Sequence, residues 1–181
     1  MIDFINKLLT VALFLCCLST PAYALNIAYV ALLDKISPTY EKSIDSGGFS
    51  ITYHGISSED GERVLRVVRK SIRLLPQFYK ESNVCRDINL HIYQIDYNIL
   101  NDRRSMSFLD WSSWGDKNID AAYDGRASPA GTSTIFITSE ISGYQVDNII
   151  SHEITHFWQH ANCLSQNEIE ARQFEIFHKR N

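Results

Sequence analysis

Apolar positions along the chain keep two different periods, and the changes between them mark out the elements. Phe49, Ile51 and Tyr53 alternate with polar residues as far as Gly55, the period of a strand with one buried face. Ahead of it, residues 25–47 keep no period and read as an irregular entry segment closed by the Gly47-Gly48 turn signal. After it the period lengthens. Val64, Leu65, Val68, Ile72, Leu75 and Tyr79 recur at helical spacing, while Arg63, Arg66, Arg69 and Lys70 face away as a solvated side. Ser57, Ser58 and Asp60 offer N-caps, Glu59 and Glu62 suit the positive end of that helix, and Pro76 should kink or shorten its last turn. From Ile88 to Ile95 the alternation returns. Ile88, Leu90, Ile92 and Gln94 fall on one side of a strand, and Asn89, His91, Tyr93 and Ile95 on the other.

Residues 96–104 give no clear period. Phe108 to Gly131 is rich in Gly, Ser, Asp and aromatics, with Trp111 and Trp114, and is long for a loop. It reads as a substrate-facing excursion or as cover for a strand near Ala121 to Tyr123. Thr132 to Thr138 has high strand propensity. Ser142, with Gln145 as capping-box partner, then opens a helix whose buried stripe is Val146, Ile149, Ile150, Ile154, Phe157 and Trp158. A last helix should run from about Gln166 to His178. This order predicts an α+β domain with a small, mostly antiparallel sheet packed against helices.

The N-terminus changes the compartment. Lys7 precedes an apolar run from Leu8 to Leu18, and Pro21-Ala22-Tyr23-Ala24 offers an A-x-A cleavage site. Residues 1–24 therefore read as a signal peptide, and 25–181 as one domain that is secreted or periplasmic. The run is too short to span a bilayer, and no long apolar stretch follows it. The net charge of −4 is mild and gives no sign of a nucleic-acid surface or a polybasic membrane patch. Cleavage removes Cys16 and Cys17 and leaves Cys85 and Cys163, an even pair that predicts a disulfide in an oxidising compartment. Closing so long a loop is worth about 4.5 kcal/mol at most in the chain-entropy model.

The chemistry lies in His152-Glu153-Ile154-Thr155-His156, an H-E-x-x-H motif inside the periodic helical stretch. A random chain of this length shows the motif on the order of once in a few hundred. Residues four apart on a helix lie about 40° apart around its axis, so both imidazoles reach one metal ion from the same face. A catalytic zinc takes three protein ligands and keeps one position open. His160 extends the series, but on a straight helix it lies about 12 Å along the axis from His152, too far for one ion. The metzincin spacing would place a third His at position 162, which is Asn. Glu168 and Glu170 remain.

Asn167-Glu168-Ile169-Glu170-Ala171 resembles the downstream glutamate element of the gluzincin metallopeptidases, in which a Glu is followed by a small residue and then an acidic one. The resemblance covers about residues 132–178 and implies a zincin-like fold. Carried over, His152, His156 and Glu168 hold one zinc ion, Ala171 is the small packing residue, and Glu153 is the general base of peptide hydrolysis; Glu170 is the alternative ligand. Two features depart from the family. Arg172 stands where the acidic residue that orients a ligand His belongs, so that role is vacant or passes to Glu175 or Asp147. The step from His156 to Glu168 is also short and needs a tight turn around Asn162-Cys163. The resemblance further implies a Tyr or His donor for the oxyanion, for which Tyr123 and Tyr144 are candidates. It makes Thr132–Thr138 the edge strand that binds extended substrate. The expected activity is that of a zinc metallopeptidase acting on a peptide or protein substrate. The alternatives are a non-catalytic zinc-stabilised binding domain and a metallohydrolase of a cell-wall amide.

Overall fold

The computed structural model describes residues 29–33, 35–80, 83–86, 88–109, 111–125, 132–140 and 144–181. The expected leader with its cleavage site and the expected Ser142 cap lie outside the described residues. Five strands form one sheet in the order β1-β2-β3-β5-β4. β1 (Tyr40–Ser46) and β2 (Phe49–Gly55) make a hairpin, β3 spans Asn89–Ile95, β4 Ala121–Asp124 and β5 Thr132–Thr138. The helices are α1 (Ser58–Tyr79), α2 (Tyr97–Asn101), α3 (Tyr144–Ala161) and α4 (Glu168–Arg180), with a 3-10 turn at Trp111–Ser113. The domain is α+β, as expected. Antiparallel pairing occurs at the two outer pairs, β1–β2 and β5–β4, whereas β2–β3 and β3–β5 are parallel. Parallel neighbours need a crossover, and α1 supplies the one between β2 and β3.

β1 corrects the irregular reading of the entry segment. Gly47 (φ 59°) and Gly48 (φ 84°) form a two-residue loop with both φ positive, the geometry that joins twisted antiparallel strands. Ile44 is the one buried side chain of β1, so the strand carries little periodic signal. Residues 29–33, 35 and 36, in the same segment, are helical.

Strand alternation sorts the side chains into two cores. Leu90 and Ile92 of β3 join Ile51, Tyr53, Ile135 and Ile137 beneath α1, α3 and α4. Tyr93 and Ile95 face the other way with Phe136, under Tyr29, Leu32, Leu100, Met106 and Phe108. The segment after Phe108 is thus in part core: Phe108, Leu109 and Ile119 are buried, and it does contain a strand, β4. The Ser57 hydroxyl caps α1 by accepting from Asp60 N–H. α1 continues three residues past Pro76 and ends on Lys80 in the left-handed region.

Candidate metal centre

α3 carries the motif on its buried side. Ile150, Ile154, Phe157 and Trp158 anchor it against the sheet, and this turns His152, Glu153 and His156 towards β4 and α4. α3 ends abruptly. Cys163 N–H bonds to His160 O at 3.1 Å and Leu164 N–H to Gln159 O at 2.8 Å, with Cys163 at φ 56°. This is a Schellman cap whose left-handed position is usually left to glycine. Cys85 stands at disulfide distance from Cys163, with Cα atoms 6.1 Å apart, and Cys85 N–H bonds to Ala161 O. The tight turn that the short spacing requires is therefore present and tied down from outside. Asn167 then caps α4, its side chain accepting from Ile169 and Glu170 N–H, so that Glu168 opens the helix beside the two histidines.

The three ligand groups form a small triangle. His152 Nε2 and His156 Nε2 are 3.2 Å apart. Glu168 Oε2 is 3.2 Å from the former and Glu168 Oε1 3.2 Å from the latter. Zinc–ligand bonds of 2.0–2.1 Å at tetrahedral angles put neighbouring ligand atoms about 3.3 Å apart. Among the described residues these three are the one group of metal-ligating side chains that gather in this way. Each imidazole also has a partner for its far nitrogen. His152 Nδ1 is 2.6 Å from Glu175 Oε1, and His156 Nδ1 is 3.1 Å from Gln159 Oε1. Glu175, one turn beyond Arg172, occupies the orienting position that Arg172 cannot fill. Asp147 lies elsewhere, near His178.

Charge follows geometry. Burial alone would lower the His152 pKa. The Glu175 hydrogen bond and the charges of Glu153, Glu168 and Glu175 outweigh it, and the net direction is up. Burial, and then the neighbouring His152 charge, push His156 down. Glu153 is buried between them on the cleft floor. Burial first, with the negative charges of Glu168 and Glu175, holds its carboxyl at about 7, against His152 and the backbone N–H of Tyr123.

The other candidates fall into place around this centre. Glu170 is not in the triangle; its Oε2 accepts from Tyr79 Oη at 3.0 Å and Gln159 Nε2 at 3.1 Å. Ala171 is fully buried. His160 lies outside the triangle, with its Nδ1 2.5 Å from Tyr123 Oη and its Nε2 on Arg86. Tyr123 lines the cleft, and burial pushes its phenol pKa up, so the phenol stays protonated. Tyr144 begins α3, and its side chain lies outside the described residues. β5 is not an edge strand, because β3 and β4 bond to both its sides. The edge is β4. Thr138 N–H bonds to Asp120 O at 2.9 Å, which sets the ladder so that Ala121 and Tyr123 turn their backbone groups outward. The cleft holds about 420 Å³, with Leu109, Trp114 and Leu164 as apolar walls beside the triangle.

Gln159 was absent from the sequence reading. It lies three residues past His156, but its partners come from Tyr79, Asn167 and Glu170, and no spacing within α3 announces them. Fold and site together define an α+β domain with a His–His–Glu cluster able to hold a metal ion. Compared with known proteins, the chain matches no family model, no curated protein and no solved structure.

Proposed function

We propose that the chain is a zinc-dependent metallopeptidase, with His152, His156 and Glu168 as metal ligands and Glu153 as general base. The observation that carries this reading is the His152–His156–Glu168 cluster, in which each imidazole Nε2 is 3.2 Å from the other and from one Glu168 oxygen, with the buried Glu153 carboxyl beside it in a cleft. When bound, zinc supplies a Lewis acid that polarises a carbonyl and acidifies water. Glu153, buried beside His152 in the cleft, is placed to take a proton from water and hand it to the departing amine. The outward backbone groups of Ala121 and the carbonyl of Tyr123 offer an extended peptide partial pairing along this edge, the Tyr123 N–H being held by Glu153. The Tyr123 phenol lines the cleft, but its hydrogen is donated to Ser133 Oγ at 2.9 Å, so in this arrangement it supplies no oxyanion donor.

The test combines elemental analysis with cleavage of a peptide library. One zinc per chain and chelator-sensitive cleavage are expected. Glu153→Gln should keep the zinc and lose at least about 100-fold in rate. Full activity in that variant removes the general-base role. Zinc without any cleavage points instead to a zinc-stabilised binding domain, and hydrolysis of peptidoglycan alone points to a cell-wall amide.

A further inference from the structure

Gln159 is fully buried, and every polar group of its side chain is engaged. Oε1 faces His156 Nδ1 and the backbone N–H of Asn167, each at 3.1 Å. Nε2 faces Tyr79 Oη at 2.9 Å, Glu170 Oε2 at 3.1 Å and Asn167 O at 3.4 Å. The orientation of this amide is determined by its partners. A backbone N–H can only donate, so the atom opposite Asn167 N–H must be the oxygen. A carbonyl and a carboxylate can only accept, so the atom opposite Asn167 O and Glu170 must be the NH2. It follows that His156 Nδ1 carries a hydrogen, which in the neutral ring leaves the lone pair on Nε2, the atom turned towards His152 and Glu168. The same amide grips both backbone groups of Asn167, the residue immediately before Glu168.

We propose that Gln159 is a positioning residue of the metal centre: one amide sets the tautomer of His156 on α3 and the seat of Glu168 on α4. The inference rests on reading His152, His156 and Glu168 as metal ligands. It makes Glu170 part of the same device, an anchor for the amide rather than a ligand, with Tyr79 extending the anchor to the end of α1. Outer partners of this kind are worth roughly 10–100-fold in metal affinity.

The test uses the full chain and Zn2+ itself, titrated against a chromophoric chelator, with circular dichroism to follow the fold. Gln159→Met keeps the volume and removes every hydrogen bond; zinc affinity should fall roughly 10–100-fold. Gln159→Glu keeps the acceptor for His156 and sets a carboxylate against Glu170, so it should weaken zinc while preserving the tautomer. Long-range proton–nitrogen NMR on the zinc-free wild type should show His156 as the Nδ1–H tautomer, and Gln159→Met should show a mixture. Wild-type zinc affinity in Gln159→Met overturns the proposal. So does an Nε2–H tautomer in the wild type, a result that needs no variant to fold. A wild-type chain that binds no zinc overturns the metal reading instead, and the NMR result separates the two failures.

Discussion

His152 and His156 each need a partner for the nitrogen turned away from the triangle, and the two partners differ in charge. Glu175 gives His152 a carboxylate, which makes the ring a stronger donor to a cation; Gln159 gives His156 a neutral amide. Glu175→Gln keeps a hydrogen-bonding group but removes the charge, and should weaken zinc by about tenfold; Glu175→Ala should cost up to about 100-fold. Competitive zinc titration measures both, and unchanged affinity in the alanine variant would remove Glu175 from the centre. At this scale the sequence was legible where spacing alone decides, as for His152, Glu153 and His156. Glu168 could be set above Glu170 only through the family resemblance. The physical reason emerges in three dimensions: Asn167 caps α4, and Tyr79 and Gln159 claim the Glu170 carboxylate.

Elements that carry a strong period were readable. α1, β2, β3, β5, α3 and α4 fall close to where the apolar positions place them. β1 was not, because an edge strand with one buried side chain has almost no period to read. Nor could alternation say which strand lies at the sheet's rim; pairing partners are remote in sequence, and β4, only four residues long, takes that place. Two predictions concern how elements are held together. α4 docks on α1 partly through His178, buried against Val67 and accepting no hydrogen bond at Nε2 from the described residues. Burial, with Lys70 adding to it and Asp147 opposing, lowers its pKa from 6.5 to about 4. The folded state thus binds fewer protons than the unfolded between those values. The contribution is complete above about pH 6.5, is lost as pH falls towards 4, and amounts to no more than about 3 kcal/mol. Denaturant unfolding should show this slope in wild type and a flatter one in His178→Gln; equal slopes would refute it. The second link is Cys85–Cys163. Non-reduced mass spectrometry should find the mass of the bonded form, and Cys163→Ser should lose up to about 4 kcal/mol, with the loop at 83–86 released from the end of α3. Two free thiols would contradict it.

Across the whole molecule, the sheet has a core on each face, and the segment from Leu100 to Ile119 serves both the second core and the cleft wall. That double duty explains why it reads poorly: its apolar residues answer to a tertiary surface and not to a repeating element. The His–His–Glu cluster joins α3 to α4, so an ion bound there should stabilise the domain as any ligand of the native state does. At a zinc concentration about 1,000 times Kd the gain is about 4 kcal/mol. A calorimetric scan should therefore show the chelated chain unfolding at lower temperature and zinc restoring it. An unmoved transition would mean that the cluster does not hold the ion.

The Schellman cap at Cys163 has a consequence for folding order. Because the chain reverses so sharply there, all the proposed ligands fall between residues 152 and 168, with no strand between them. Bringing such near neighbours together costs little loop-closure entropy, whereas the parallel pairs β2–β3 and β3–β5 must first close long crossovers. The ligands themselves are thus gathered by contacts much closer in sequence than those that build the sheet beneath them.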